Sequence, residues 1–193
     1  MNKLTIDQIN DQQLVDIRNQ EQFQEGHIEG SINLNTRNLL IYGPNLLKEY
    51  KNVVLITSKD ESTQIDEIVK NAEKFGLDYI SGYMIFEEIP TNILQTAPTI
   101  SVQKYFEKTD DYVLLDVRQP GEITREAPKK NLVHIPLKSL AEDYNIIDKK
   151  AIVYTLCGSG NRATTASSFL SINGYDTVVI EGGMSAVEDY RNQ

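Results

Sequence analysis

Cys157 is the only cysteine of the chain, and it opens the hexapeptide Cys157-Gly158-Ser159-Gly160-Asn161-Arg162. The residues before it, Tyr154-Thr155-Leu156, read as a strand, and those after it have helical spacing. A thiol at such a junction faces the positive end of a helix dipole. Gly158 and Gly160 permit the positive φ angles of a compact loop. The backbone N–H groups of Gly158, Ser159, Gly160 and Asn161 are then expected to converge on one anion. Arg162 adds a permanent planar cation, read as a donor and loop-stabilising group rather than a surface cap. Each feature favours thiolate over thiol relative to the free value of about 8.5. The expected chemistry is nucleophilic attack by sulfur without a dedicated histidine base. The opposing reading is an inert core thiol, because free cysteine is among the most buried residue types; the two glycines and Arg162 weigh against it. Ser159 either donates its hydroxyl to a bound sulfur or closes the turn, and the sequence leaves both open.

Positioning such a loop requires a buried strand followed by a helix, and the chain supplies that arrangement twice. Leu14-Val15-Asp16-Ile17-Arg18 and Leu114-Leu115-Asp116-Val117-Arg118 are one phrase repeated. Asn52-Val53-Val54-Leu55-Ile56 corresponds to Ala151-Ile152-Val153-Tyr154-Thr155, and each run leads into a helical segment, residues 63–75 and 161–172. Gly76-Leu77-Asp78-Tyr79 resembles Gly174-Tyr175-Asp176-Thr177, and Ile80-Ser81-Gly82-Tyr83-Met84 resembles Ile180-Glu181-Gly182-Gly183-Met184. The order predicts a repeat. Prolines within residues 90–98 place the boundary there, dividing the chain into residues 1–92 and 98–193. Short apolar runs alternating with helical patterns predict an α/β fold in each half, an open, mainly parallel sheet flanked by helices. Runs such as Val53-Val54-Leu55-Ile56 and Ile152-Val153-Tyr154 suit strands buried on both faces. Ala163, Ala166, Phe169 and Leu170 form a helical face for packing on the sheet. Ligands of such sheets bind beyond the carboxyl ends of the strands, which is where Cys157 falls.

Composition narrows the remaining possibilities. Hydrophobic residues make up 40% of the 193 and charged residues 24%, enough apolar material for a core. The net charge of -9 argues against a nucleic-acid partner, which needs a basic surface, and against a polybasic membrane anchor. No stretch approaches the roughly 20 apolar residues that span a bilayer, and no leader is read in residues 1–20, so a cytoplasmic location is expected. One cysteine excludes an intrachain disulfide and any multi-thiolate metal site. The two histidines, His27 and His134, lack ligand spacing, so neither a metal nor another cofactor is expected. His27 is read as hydrogen-bonding within its own half and His134 as marking a strand end.

Cys157-Gly158-Ser159-Gly160-Asn161-Arg162 resembles the Cys-x-Ser-Gly-x-Arg active-site loop of rhodanese sulfurtransferases. Asp116-Val117-Arg118 with Glu122, His134-Ile135-Pro136-Leu137 and Glu181-Gly182-Gly183-Met184 resemble further signatures of that family, and Gly26-His27-Ile28-Glu29-Gly30-Ser31-Ile32-Asn33 matches one in the first half. The resemblance covers nearly the whole chain, once per half. It implies two rhodanese-like domains and a ping-pong reaction. In that reaction the Cys157 thiolate takes the outer sulfur of thiosulfate or a persulfide, and a thiol or cyanide receives it. The partners implied are a small sulfur donor and a thiol acceptor, or a protein persulfide. Asp116, Arg118 and Glu122 are read as a structural ion-pair network, since the phrase recurs in a half without cysteine.

Both halves depart from the family pattern. In the first, Ser58 is aligned with the nucleophile and Thr63 with Arg162, the loop glycines are missing, and Asp60 and Glu61 would repel an anion. That half is expected to be inactive. In the second, Ile123-Thr124-Arg125-Glu126-Ala127-Pro128-Lys129-Lys130 replaces the Gly-His-Ile segment with a basic loop, which would widen access to the site or meet an acidic partner. Two other functions compete with enzymatic sulfur transfer. One is a sulfur-relay or binding module that seldom turns over alone. The other is a Cys-dependent phosphatase or arsenate reductase, which the loop disfavours. Four residues separate Cys157 from Arg162, where those enzymes usually have five, and Leu156 stands where they often carry histidine.

Overall fold

The computed structural model describes residues 1–48 and 51–192. The chain divides into two compact units, Met1–Thr96 and Ala97–Gln193. In the first, β1 (Gln13–Asp16), α1 (Gln20–Glu25), β2 (His27–Ile28), β3 (Ile32–Asn33) and α2 (Thr36–Leu46) precede β4 (Val53–Thr57), α3 (Ile65–Glu73), β5 (Ile80–Ile85) and β6 (Leu94–Gln95). The second unit contains β7 (Thr99–Ile100), α4 (Val102–Phe106), β8 (Tyr112–Asp116), β9 (Leu132–His134), α5 (Leu140–Asp143), β10 (Ile152–Leu156), α6 (Asn161–Ile172), β11 (Thr177–Ile180) and α7 (Gly183–Arg191).

Both units carry one topology. The first sheet has the order β3-β1-β4-β5 and the second β7-β11-β10-β8-β9. All neighbouring strands in these two sheets are parallel. Tyr83 N–H donates to Asn2 O at 3.0 Å and Leu4 N–H to Tyr83 O at 2.8 Å, so the chain at Asn2–Leu4 lies beside β5 as β7 lies beside β11. The first unit runs past residue 92, because β6 pairs antiparallel with β2, Leu94 against Ile28 and Gln95 against His27.

The central strands are apolar because both faces are covered. Every residue of β4 is buried, whereas Ile152, at the mouth of β10, remains 37% exposed and full burial starts at Val153. Leu114, Tyr154, Leu156, Ile180 and Met184 pack into one core cluster of the second unit. Val54, Ile56, Met84 and Ile89 do so in the first. Each such side chain contributes about 1.5–3 kcal/mol when fully withdrawn from water. α6 buries more than the stripe Ala163, Ala166, Phe169 and Leu170. Thr164, Thr165, Ser167 and Ser168 are buried too, with the Ser167 and Thr177 hydroxyls 2.8 Å apart.

Strand register moves the 52–56 run one residue along from its stated match at 151–155 and corrects three further sequence pairings. Asp16 lies opposite Ile56 as Asp116 lies opposite Leu156, so Thr57 rather than Ser58 occupies the place of Cys157. By the same count Ser62, rather than Thr63, falls where the second unit has Arg162. Ile80–Ile85 is itself the strand beside β4, so its counterpart is β11 and not the Glu181-Gly182-Gly183-Met184 turn that follows β11. The helix expected over residues 63–75 begins as a 3-10 turn at Glu61–Gln64 and becomes α-helical over Ile65–Glu73.

Candidate active site

Cys157 leaves the end of β10 and α6 starts four residues later. Its sulfur is almost entirely enclosed, the residue being 1% exposed, yet it accepts two backbone N–H donors. Gly160 N–H donates to Sγ at 3.2 Å and Ala163 N–H at 3.3 Å. Both amides come from the start of α6, whose first-turn N–H groups have no partner inside the helix. Gly160 makes this approach possible by taking φ 98°, a left-handed conformation that favours glycine. Gly158 stays outside that region, so only one of the two loop glycines serves the purpose the sequence suggested for both. Ser159 is exposed within the loop.

A second helix holds the loop from behind. The N–H of Met184 donates to Cys157 O at 2.8 Å, and Ser185 N–H to Gly158 O at 3.1 Å. Ser185 Oγ donates to the same Gly158 carbonyl at 3.2 Å. With its carbonyls drawn toward α7, the loop leaves the sulfur to the amides of α6. This contact requires Gly183, at φ 58°, because a Cβ there would lie 2.5 Å from Cys157 O. Ala163, Met184 and Ser185 are contributors that sequence reasoning missed. The Glu181-Gly182-Gly183-Met184 phrase marked the turn but not what it grips.

The structure separates the trio Asp116, Arg118 and Glu122. Asp116 and Arg118 form a buried ion pair, with Arg118 Nη2 2.6 Å from Asp116 Oδ2 and Nε 2.9 Å from Oδ1. The pair is duplicated by Asp16 and Arg18 at the same 2.6 Å. His134 lies opposite Asp116 in the register and approaches Arg118 O through Nε2 at 2.8 Å. Its counterpart Asn33 donates to Arg18 O at 3.0 Å, so His134 ties a strand end in place. Glu122 makes its ion pair with Arg162 and not with Arg118, although the Arg118 charge also acts on it. The Arg162 hydrogen bond holds the Glu122 carboxyl below its usual range. His27, in the first unit, is buried and stacked on Phe23 at 3.9 Å. It contacts Phe23 O through Nδ1 at 2.9 Å and Gln95 through Nε2 at 3.2 Å.

Cations of the basic loop are engaged within the second unit. Arg125 pairs with Glu188, Lys129 Nζ lies 3.1 Å from Glu126, and Lys130 Nζ sits 4.9 Å over the Tyr112 ring. Arg118 Nη1 and Arg191 Nη1 donate to the loop carbonyls of Arg125 and Glu126, each at 3.0 Å. In the first unit, Thr57 Oγ1 is buried without a hydrogen-bond partner among the described residues, and Ser58 Oγ accepts from Glu61 N–H at 3.3 Å. Among the described residues no group of three or more His, Cys, Asp or Glu side chains is placed to hold a metal ion, and no helix is long and apolar enough to cross a membrane.

Residues 2–81 and 101–190 match the family described as "Rhodanese-like domain". Over 90 residues the chain is 31% identical to "Putative sulfurtransferase YtwF" of Bacillus subtilis (strain 168), an alignment covering 47% of this chain and 86% of that protein. Among solved structures, a rhodanese-related protein from Thermoplasma volcanium is 32% identical, covering 48% of this chain and 92% of its own with a TM-score of 0.44. A rhodanese-like domain protein from Staphylococcus aureus is 27% identical, covering 46% and 89% with a TM-score of 0.42.

Proposed function

The chain belongs to the rhodanese-like domain family, and from that premise we propose that it is a sulfurtransferase whose chemistry is carried by Cys157 alone. The observation behind this reading is the pair of amides on a buried sulfur. An inert core thiol packs among apolar groups and has no need of two N–H donors. Here Gly160 and Ala163 aim theirs at Sγ, an arrangement that stabilises negative charge on that atom and on a sulfur bonded to it.

The cycle has two displacements. Cys157 thiolate attacks the outer sulfur of the donor, and a new S–S bond forms as the donor bond breaks. The electron pair leaves with sulfite from thiosulfate, or with the thiolate from a persulfide. The acceptor, a thiolate or cyanide, then attacks the terminal sulfur of the Cys157 persulfide, and Cys157 departs as thiolate. No net redox change and no cofactor are required. The family resemblance and the short loop favour this over transfer of a tetrahedral phosphoryl group.

Steady-state transfer from several donors, wild type against Cys157→Ala, tests the proposal. The variant is expected to fold normally and transfer nothing. Retained transfer would move the chemistry elsewhere. Loading of Cys157 without cyanide-dependent turnover would identify a relay module instead of an enzyme. Hydrolysis of an aryl phosphate that is lost in Cys157→Ser would indicate a phosphatase.

A further inference from the structure

Arg162 and Glu122 come from different elements, and their pairing changes what an incoming donor meets. Glu122 Oε2 accepts Gln119 N–H at 3.0 Å, closing a 3-10 turn at Pro120–Glu122, and also pairs with the Arg162 guanidinium. Arg162 in turn borders the reactive loop, since a Cβ on Gly158 would lie 3.7 Å from its Nη2. The cation is thus set between a carboxylate and the loop that carries Cys157.

The first unit contains a natural control. Gln22 occupies the corresponding place after the Asp16–Arg18 pair, and its Oε1 accepts Asn19 N–H at 3.3 Å. A neutral amide closes that turn, so turn geometry does not account for a charge at Glu122. The carboxylate occurs where the thiol and the arginine occur, and it is absent where both are absent.

We propose that Glu122 is a specificity-determining residue: by engaging Arg162 it biases the Cys157 site against doubly charged donors such as thiosulfate and toward persulfides of single or no charge. This rests on the sulfur-transfer reading above. With Glu122 in place the two side chains carry no net charge, and a dianion near Arg162 is repelled by the carboxylate twice as strongly as a monoanion. At a separation of about 6 Å and a dielectric of about 40, between the near-surface and bulk-water values, one unit of like charge changes affinity about tenfold. Glu122 is ionised at neutral pH as any ordinary glutamate is, and the Arg162 hydrogen bond lowers its carboxyl further.

The test compares kcat/KM for thiosulfate and for the monoanionic persulfide of 2-mercaptoethanol in wild type, Glu122→Gln and Glu122→Asp. Glu122→Gln installs the side chain the first unit already uses. It is expected to raise the thiosulfate-to-persulfide ratio about tenfold through the KM for thiosulfate, an effect that shrinks as ionic strength approaches about 1 M. Glu122→Asp keeps the charge and should keep the wild-type ratio even if both efficiencies drop. If both donors transfer and the ratio does not move, or both fall together through kcat, Glu122 only shapes its turn and the proposal is overturned. If neither donor places sulfur on Cys157 in wild type, the sulfur-transfer reading fails and this proposal falls with it.

Discussion

The two strand-to-helix junctions start from the same architecture and differ in nearly every feature that bears on anion chemistry. After β10 the loop turns through a left-handed Gly160, places two amides on sulfur and is followed at once by α6. After β4 the corresponding position is Thr57, a 3-10 turn intervenes before α3, and that turn carries the acidic side chains Asp60 and Glu61. The buried Asp–Arg pairs and the strand order are alike in both. Charge follows the same division. The first unit has eight lysines and arginines against fifteen acidic residues, and the second eleven against thirteen. One scaffold therefore supports both junctions, and the difference lies in about six loop residues and the helix ends around them.

The sharpest way to break this comparison is to move the thiol. In Thr57→Cys combined with Cys157→Ala, a cysteine sits at the same strand end without the amide cradle and beside acidic side chains. Transfer is expected to fall at least about a thousandfold below wild type, because an unactivated thiol and an anionic donor meet no compensating donors. Recovery of substantial transfer would show that strand position alone is sufficient.

Gly183→Ala tests the clamp that α7 places on the active loop. A Cβ 2.5 Å from Cys157 O forces the loop to shift. Displacement of a reacting group by about 1 Å can lower the rate by two orders of magnitude, so kcat is expected to fall about a hundredfold. Hydrogen exchange of the first unit should be unchanged. The corresponding control is Gly76→Ala, at φ 85° with open space around the would-be Cβ, which should lower stability modestly and leave transfer alone.

The duplicated ion pairs should behave alike in stability and differently in chemistry. Asp16→Asn and Asp116→Asn each leave a buried arginine without its counter-charge, and each is expected to destabilise its unit by about 3 kcal/mol in chemical denaturation. Only Asp116→Asn should also slow sulfur transfer, because Asp116 lies beside Leu156, the residue before Cys157. Equal activity in the two variants would separate the ion pair from the site.

Acid should distinguish the units by a smaller margin. Burial, reinforced by the Arg18 charge, pushes His27 below its ordinary value of 6.5, against the opposing pull of the Phe23 carbonyl. The unfolded chain then binds the proton more readily, so the His27 contribution is fully present above pH 6.5 and is lost as pH falls from there through the lower folded value. Glu122 is depressed from 4.5, so its contribution is present above pH 4.5 and lost only as pH falls further. Protection of first-unit amides, with the intrinsic pH dependence of exchange divided out, should fall as pH drops below about 6.5, and His27→Gln should flatten that response.

Much of this was legible in the sequence because it is local. Cys157, Gly160 and Arg162 fall within six residues, and the periodicity around them identifies a strand, a loop and a helix. The duplicated Asp-x-Arg phrase exposed the repeat for the same reason. What escaped depends on contacts between distant segments. Met184 and Ser185 reach Cys157 and Gly158 across 27 positions, and only Ala163, one residue beyond the hexapeptide, is a local exception. The Glu122–Arg162 pair spans 40 positions. The misplaced equivalence of Ile80–Ile85 arose because an apolar-Gly-Met phrase occurs once within a strand and once after one. Only the sheet register, including its irregularity at Val53 and Val54, separates the two.

The most direct measurement of the central claim is the mass of the peptide bearing Cys157 after brief exposure to a sulfur donor and removal of excess reagent. The account predicts one added sulfur per chain, located on Cys157 and discharged by cyanide. An unchanged peptide, or added sulfur that cyanide fails to remove, would contradict it.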